Sequence, residues 1–171
     1  CLFFGIGFYE YEIFLVRRLR ELGADVTFIS LLETPKSSKF TSIIAVRNNR
    51  RRKVENKIKK KLQGKVYDQV LVIKGSQLSL DFMGYLRQEF SSAEFILYQW
   101  DAIVRVPNYE YMAEMFDTLF SSERLDCLAG SQMTFRPLFA IPNNFAKKIE
   151  KKYDINFIGH LHSKRLMIAK S

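Results

Sequence analysis

Short apolar runs that end in glycine or a polar turn alternate with stretches of helical period, and this alternation restricts the fold more than any other feature of the chain. Leu2-Phe3-Phe4 ends at Gly5-Ile6-Gly7. From Phe8 to Leu22 the period becomes helical, with Ile13, Leu15, Val16, Leu19 and Leu22 on the apolar side and Arg17, Arg18, Arg20 and Glu21 toward water. Gly23 stops that helix, and Ala24 to Leu32 reads as a strand closed by Pro35. Strand, helix and strand with short connections form a βαβ unit. The pattern then repeats. Gln69 to Lys74 carries VLVI and breaks at Gly75-Ser76, Leu78 to Phe90 is helical, and Glu94 to Tyr98 is a strand followed by Gln99-Trp100-Asp101. Asn108 to Phe116 suits a short helix, Thr118 to Ser121 a strand, and Ser122 to Cys127 a helical turn. Thr134 to Pro137 suits an edge strand, because proline cannot donate to a ladder. Such a chain folds as an α/β domain, Rossmann-like and three-layered, with a mostly parallel sheet of five or six strands. Continuous apolar strands such as VLVI belong in a sheet covered on both faces.

In parallel sheets of this kind ligands lie beyond the carboxyl ends of the strands. That places the candidate site at Gly5 to Tyr9, Ser30 to Thr34, Gly75-Ser76, Gln99 to Asp101 and Ser121 to Glu123. Gly5-Ile6-Gly7 is either a tight turn that admits a neighbouring loop or one that faces a ligand. The full dinucleotide fingerprint is absent, since Glu10 stands where its third glycine would be, and there is no Walker lysine. Asp101 can act as a base or orient a sugar hydroxyl, and the Trp100 indole offers a sugar ring a flat apolar face. The alternative is that Trp100 packs under a loop and Asp101 caps the next turn. Gln99 joins them by adjacency. Glu123 and Asp126 suit a structural helix start, and Arg136 a phosphate contact or an ion pair.

The net charge of +9 is concentrated in one place. Between Arg47 and Lys65 there are ten basic residues and one acid, Glu55, while the rest of the chain carries 17 of each sign. Val54, Ile58 and Leu62 recur every four residues, so the segment is a helix with a narrow apolar stripe, with Arg51, Arg52, Lys59, Lys60 and Lys61 mostly toward water and Gly64 ending it. Three readings stay open for it: a solvated face, contact with an anionic membrane surface, or nucleic-acid binding. The last lacks aromatic stacking residues, none lying between Arg47 and Val66. No run of 18 apolar residues suits a membrane span. Cys1 and Cys127 form neither a disulfide framework nor a zinc spacing.

After a basic passage at 143–153, Ile155 to Ile158 restarts the pattern of strand, glycine and helix. The turn Gly159-His160-Leu161-His162-Ser163 holds both histidines of the chain, and Ser163 suits an N-cap. The amides of that helix start, with Lys164 and Arg165, suit a phosphate. Two histidines two residues apart without an adjoining carboxylate or thiolate make a poor metal site, so no metal is expected.

FFGIGFYEYE, YDQVLVIKG, FILYQWDA, FRPLFA and YDINFIGHLHSKR, in that order, resemble the bacterial GT-B glycosyltransferases related to CgeB, which are labelled polysaccharide or lipopolysaccharide biosynthesis proteins. The resemblance runs over nearly the whole chain. It implies an N-terminal, acceptor-side Rossmann-like domain at 1–141, a linker at 142–153, and at 154–171 the first strand and helix of a truncated donor-side domain. It implies transfer of a sugar from a nucleotide-sugar donor to a polysaccharide or lipid-linked acceptor, with the donor as substrate and no tightly bound cofactor. Asp101 would be the catalytic base, and Trp100, Tyr9 and Gln99 would meet the substrate. Gly159, His160, Ser163 and Arg165 would face the donor pyrophosphate, with Gly5 and Gly7 binding from across the cleft. The expected location is the cytoplasm, with peripheral contact at the inner face of the membrane through residues 47–65. The alternative is an α/β module that binds nucleic acid or an anionic surface through that helix. Most of the usual donor domain is missing from the 171 residues, so the piece alone is expected to be inactive and the longer protein to be the enzyme.

Overall fold

Six strands align in one parallel sheet, and its strand order sets where each helix must lie. The computed structural model describes residues 1–7, 11–31, 44–106 and 109–141. In chain order the elements are β1 (Leu2–Gly5), α1 (Tyr11–Glu21), β2 (Thr27–Ser30), α2 (Ile44–Leu62), β3 (Gln69–Ile73), α3 (Leu80–Glu89), β4 (Glu94–Gln99), α4 (Tyr109–Ala113), β5 (Thr118–Ser121) and β6 (Thr134–Phe135). Short 3₁₀ turns occupy Ile103–Arg105 and Arg124–Cys127. The sheet order is β2-β1-β3-β4-β5-β6, and every pairing is parallel. Cys1–Ile141 forms one compact unit, an α/β domain of Rossmann-like, three-layer type.

Leu2 pairs with Thr27 on one side and Val70 on the other, so β1 lies at the centre of the reversal. The chain steps from β1 outward to β2 and then crosses back over β1 to β3. Right-handed crossovers send helices to opposite faces when the direction reverses. The two cores follow this rule. Val16 of α1 packs with Phe3, Ile6, Val26 and Ile73 on one face. Ile58 and Leu62 of α2, Phe82, Met83 and Leu86 of α3, and Tyr109 and Met112 of α4 pack on the other. Burying Ile58 and Leu62 contributes about 1.5–3 kcal/mol each. That burial, rather than the intrinsic helicity of a highly charged segment, holds α2 in place.

Two details differ from the sequence expectation. The buried face of α1 is set by Glu12 and Val16, whereas Ile13 and Leu22 are exposed. Within α2, Arg51 and Lys59 are half-buried rather than turned to water. Lys59 lays its ammonium 4.4 Å from the Tyr85 ring centroid, a cation–π contact that takes it back toward the core.

Asp117, just before β5, ties three elements together. Arg87 of α3 donates to both its oxygens, at 2.8 and 3.0 Å, and the Phe95 amide of β4 donates at 2.8 Å. These bonds, Arg87 first, hold the Asp117 carboxyl below its ordinary value of 3.8. A depressed folded-state pKa contributes stability that is complete above the ordinary value and is lost as pH falls through the folded one. Asp117→Asn is therefore expected to lower the denaturant midpoint near neutral pH. The gap to the parent protein should close as pH drops below about 4. A gap independent of pH in denaturant titrations would remove Asp117 from the acid response.

Candidate functional site

The direction of the sheet reverses between β1 and β3, so the crevice of this fold opens between their carboxyl ends. Gly5-Ile6-Gly7 forms one lip. An added Cβ at Gly5 would stand 2.7 Å from Cγ of Glu12 and 2.8 Å from the Phe28 ring. The missing side chain makes room for Glu12, which is 1% exposed and whose Oε1 accepts from the Ile6 amide at 3.0 Å. A carboxylate of the chain thus occupies this turn's inner side. Gly7 has φ +68°, which glycine adopts without strain. Tyr9 lies outside the described residues.

Lys74-Gly75-Ser76 forms the other lip. Lys74 has φ +67°, and among the described residues it is the only non-glycine residue with positive φ; Gly75 follows at +58°. Left-handed backbone at a lysine costs about 1–3 kcal/mol and persists where surrounding contacts demand it. Here the Lys74 amide donates to the Tyr98 carbonyl at 3.1 Å, and its ammonium forms an ion pair with Asp101 at the end of β4. Two neighbouring strand ends are thereby joined by a partly exposed pair of opposite charges. Asp101 does not cap the next turn. Asp126 does, by accepting from the Ile103 amide at 3.1 Å.

Trp100 sits in a ring cluster. Tyr11, Tyr98 and Phe139 approach it edge-on, with centroids 6.0–6.4 Å away. The Tyr98 hydroxyl donates to the carbonyl of Pro137 at 2.8 Å and to that of Arg136 at 3.2 Å, which pins the segment carrying Phe139. Burial raises the Tyr98 pKa, partly opposed by the Arg136 charge. The indole is packed under a loop. Arg136 stacks its guanidinium 5.1 Å from the Phe120 ring centroid.

Gln99 points to the other face, that of Phe95 and Leu97. It is 1% exposed, and neither amide atom has a hydrogen-bond partner. An unsatisfied buried amide costs about 1–3 kcal/mol. Its register partner Ser121 donates to Asp126 at 2.6 Å and accepts from the Glu123 amide at 3.0 Å. Glu123 accepts from the Leu125 amide, so the structural role expected for this segment is the one it plays. Burial, and then the Asp126 charge, push the Tyr109 hydroxyl up to about 12.

The structure thus brings Gly5, Gly7, Gln99, Trp100 and Asp101 to one edge of the sheet, on different faces. Gly159, His160, Ser163 and Arg165 lie outside the described residues. Sequence reasoning placed Glu12 at the start of α1, where it opposes a phosphate, but missed Lys74 and the amide-accepting roles of the buried Glu12 and Glu55. A lysine between a strand and a glycine was the available signal for Lys74. Among the described residues no group of three or more histidines, cysteines and carboxylates could hold a metal, and no helix is long and apolar enough to cross a membrane. No family model, curated protein or solved structure matches this chain.

Proposed function

We propose that the chain is the acceptor-side domain of a GT-B glycosyltransferase that moves a sugar from a nucleotide-sugar donor to a polysaccharide or lipid-linked acceptor. The observation that carries this reading is the Lys74–Asp101 ion pair at the carboxyl ends of β3 and β4, beside the crevice. The motif resemblance supplies the reaction class. A base at the acceptor hydroxyl serves an inverting displacement, and Asp101 is the carboxylate assigned to that role. Its carboxylate takes the hydroxyl proton as the acceptor oxygen bonds to the anomeric carbon. The bond from that carbon to the diphosphate breaks, and the nucleoside diphosphate leaves. Lys74 orients the carboxylate. Gly159, His160, Ser163 and Arg165 are assigned to the diphosphate side, where helix amides and cations stabilise developing charge.

The reading also places the protein at the cytoplasmic face of a membrane. Ile58 and Leu62 of the apolar stripe in α2 are buried and Val54 packs against the core, so contact there would rest on charge alone.

Calorimetry of the intact gene product with UDP-, GDP-, CMP- and dTDP-sugars tests the proposal. Saturable binding to one nucleotide family, weakened in a His160→Ala, Arg165→Ala double variant, is expected. A folded intact protein that binds none of them overturns the transferase reading.

A further inference from the structure

Helix α2 and the first turn of α3 enclose a groove of about 550 Å³. Arg51, Arg52 and Lys59 line it from α2, and Ser79, Asp81 and Phe82 from the α3 side. A second recess of about 330 Å³ shares Arg51, Ser79 and Asp81 with it and continues past Leu78 and Met112. Among the described residues the ion pairs are Arg18–Glu21, Lys74–Asp101 and Arg87–Asp117, so the three cations of the groove belong to none.

The one acid of the basic segment lowers their summed charge but forms an ion pair with none of them. Glu55 is 6% exposed and also lines the groove, but both its oxygens are turned to Ser79, accepting from the amide and the hydroxyl at 2.8 Å each. Ser79 in turn caps α3 by accepting from the Phe82 amide. The Glu55 carboxylate is therefore committed to the start of α3. Lys59 is held in place by the Tyr85 and Phe82 rings, 4.4 and 5.9 Å from its ammonium. The lining carries three cations against two carboxylates, of which only Asp81 is exposed. The lining keeps a net positive charge inside the most basic segment of the chain, and such a recess attracts anions. A phosphate monoester carries about −1.5 to −2 at neutral pH. Its oxygens also match the forked donors of two arginines, which a lone carboxylate would leave in excess.

We infer that the groove between α2 and the first turn of α3 binds a phosphoryl group, either of a phosphorylated solute or of a phosphomonoester lipid headgroup. This site is separate from the Lys74–Asp101 pair and does not depend on the transferase reading.

The intact protein is titrated with inorganic phosphate and pyrophosphate by calorimetry. It is also floated with phosphatidylcholine vesicles doped with phosphatidic acid or, at matched surface charge, with phosphatidylserine. Arg52→Gln and Lys59→Met are expected to weaken binding at least about tenfold. Asp81→Asn should tighten it a few-fold, since it removes the opposing charge. Lys57→Gln and Lys61→Gln, on the same helix outside the groove lining, should leave it unchanged. Thermal melts confirm that each variant is folded, and Arg51→Gln replaces any that is not. Saturation by the soluble anions alone assigns a solute. Preference for phosphatidic acid over phosphatidylserine, sensitive to the groove variants, assigns a headgroup. No saturable binding to any probe overturns the inference. So does equal weakening by groove and off-groove variants, or retention on an RNA or DNA oligomer that tracks total charge, because diffuse attraction to the helix face then accounts for everything.

Discussion

On the proposed transferase reading, Asp101→Asn in the intact protein is expected to slow sugar transfer by about 10²–10⁴-fold, the range spanned by a positioned general base. The substitution keeps the size of the side chain and an oxygen for Lys74 to donate to, but removes the charge and the proton acceptor. Donor affinity should change little, because the proposed reading assigns the donor to other residues, Gly159, His160, Ser163 and Arg165. Stability should also change little. The Lys74–Asp101 pair is partly exposed, with side chains 26% and 46% accessible, and such pairs contribute about 0–1 kcal/mol. Lys74→Met should produce a smaller loss that appears in KM as well as kcat, as orientation of Asp101 loosens. The informative measurement is transfer rate against pH for parent and Asp101→Asn. Loss of the acidic limb in the variant fits a base. An unchanged rate, with folding confirmed, removes Asp101 from the chemistry and leaves the pair as a tie between β3 and β4.

Most strands were legible because they are dense apolar runs with their own stop signals, although the run from Ala24 to Leu32 shortens to Thr27–Ser30. Thr118 to Ser121 has the same bounds in sequence and structure, and Gln69 to Ile73 differs by one residue. Strand order was not legible, since pairing β3 beside β1 depends on packing α2 across the sheet, which no local pattern encodes. The burial of the two acids was missed for a physical reason. Hydropathy assigns Glu12 and Glu55 to water, yet each answers a backbone amide at a turn or helix start that would otherwise lie buried without a partner. Gln99 was joined to Trp100 and Asp101 only by adjacency. The two-residue period of Phe95, Leu97 and Gln99 already places its amide inside, on the face away from Trp100. Asp126 likewise follows Ser121 at a spacing that suits a turn, but its reach to the Ile103 amide comes from the fold.

Gly5→Ala is expected to destabilise the domain by about 3 kcal/mol, at the upper end of the cost of an added methyl in a packed interior. The new Cβ would meet Glu12 Cγ at 2.7 Å and the Phe28 ring at 2.8 Å. Neither neighbour can yield freely. Glu12 is anchored by the Ile6 amide, and the Phe28 ring packs against Phe3, centroids 5.2 Å apart, in the core beneath α1. If accommodation of Glu12 is the reason for glycine here, the two positions must be coupled. Glu12→Ala alone should cost stability, because the Ile6 amide loses its acceptor in a buried setting. In that background Gly5→Ala should cost at least about 1 kcal/mol less than in the parent, the coupling expected of residues in direct contact. Denaturant melts of the four proteins in this cycle read the coupling directly. Additive effects would mean that Glu12 moves aside at no cost, and Phe28 would then be the residue that requires glycine. A Gly5→Ala protein that is fully stable yet no longer binds a nucleotide sugar would instead assign the glycine to ligand approach, and the lip formed by Gly5-Ile6-Gly7 would belong to the substrate rather than to the packing of α1.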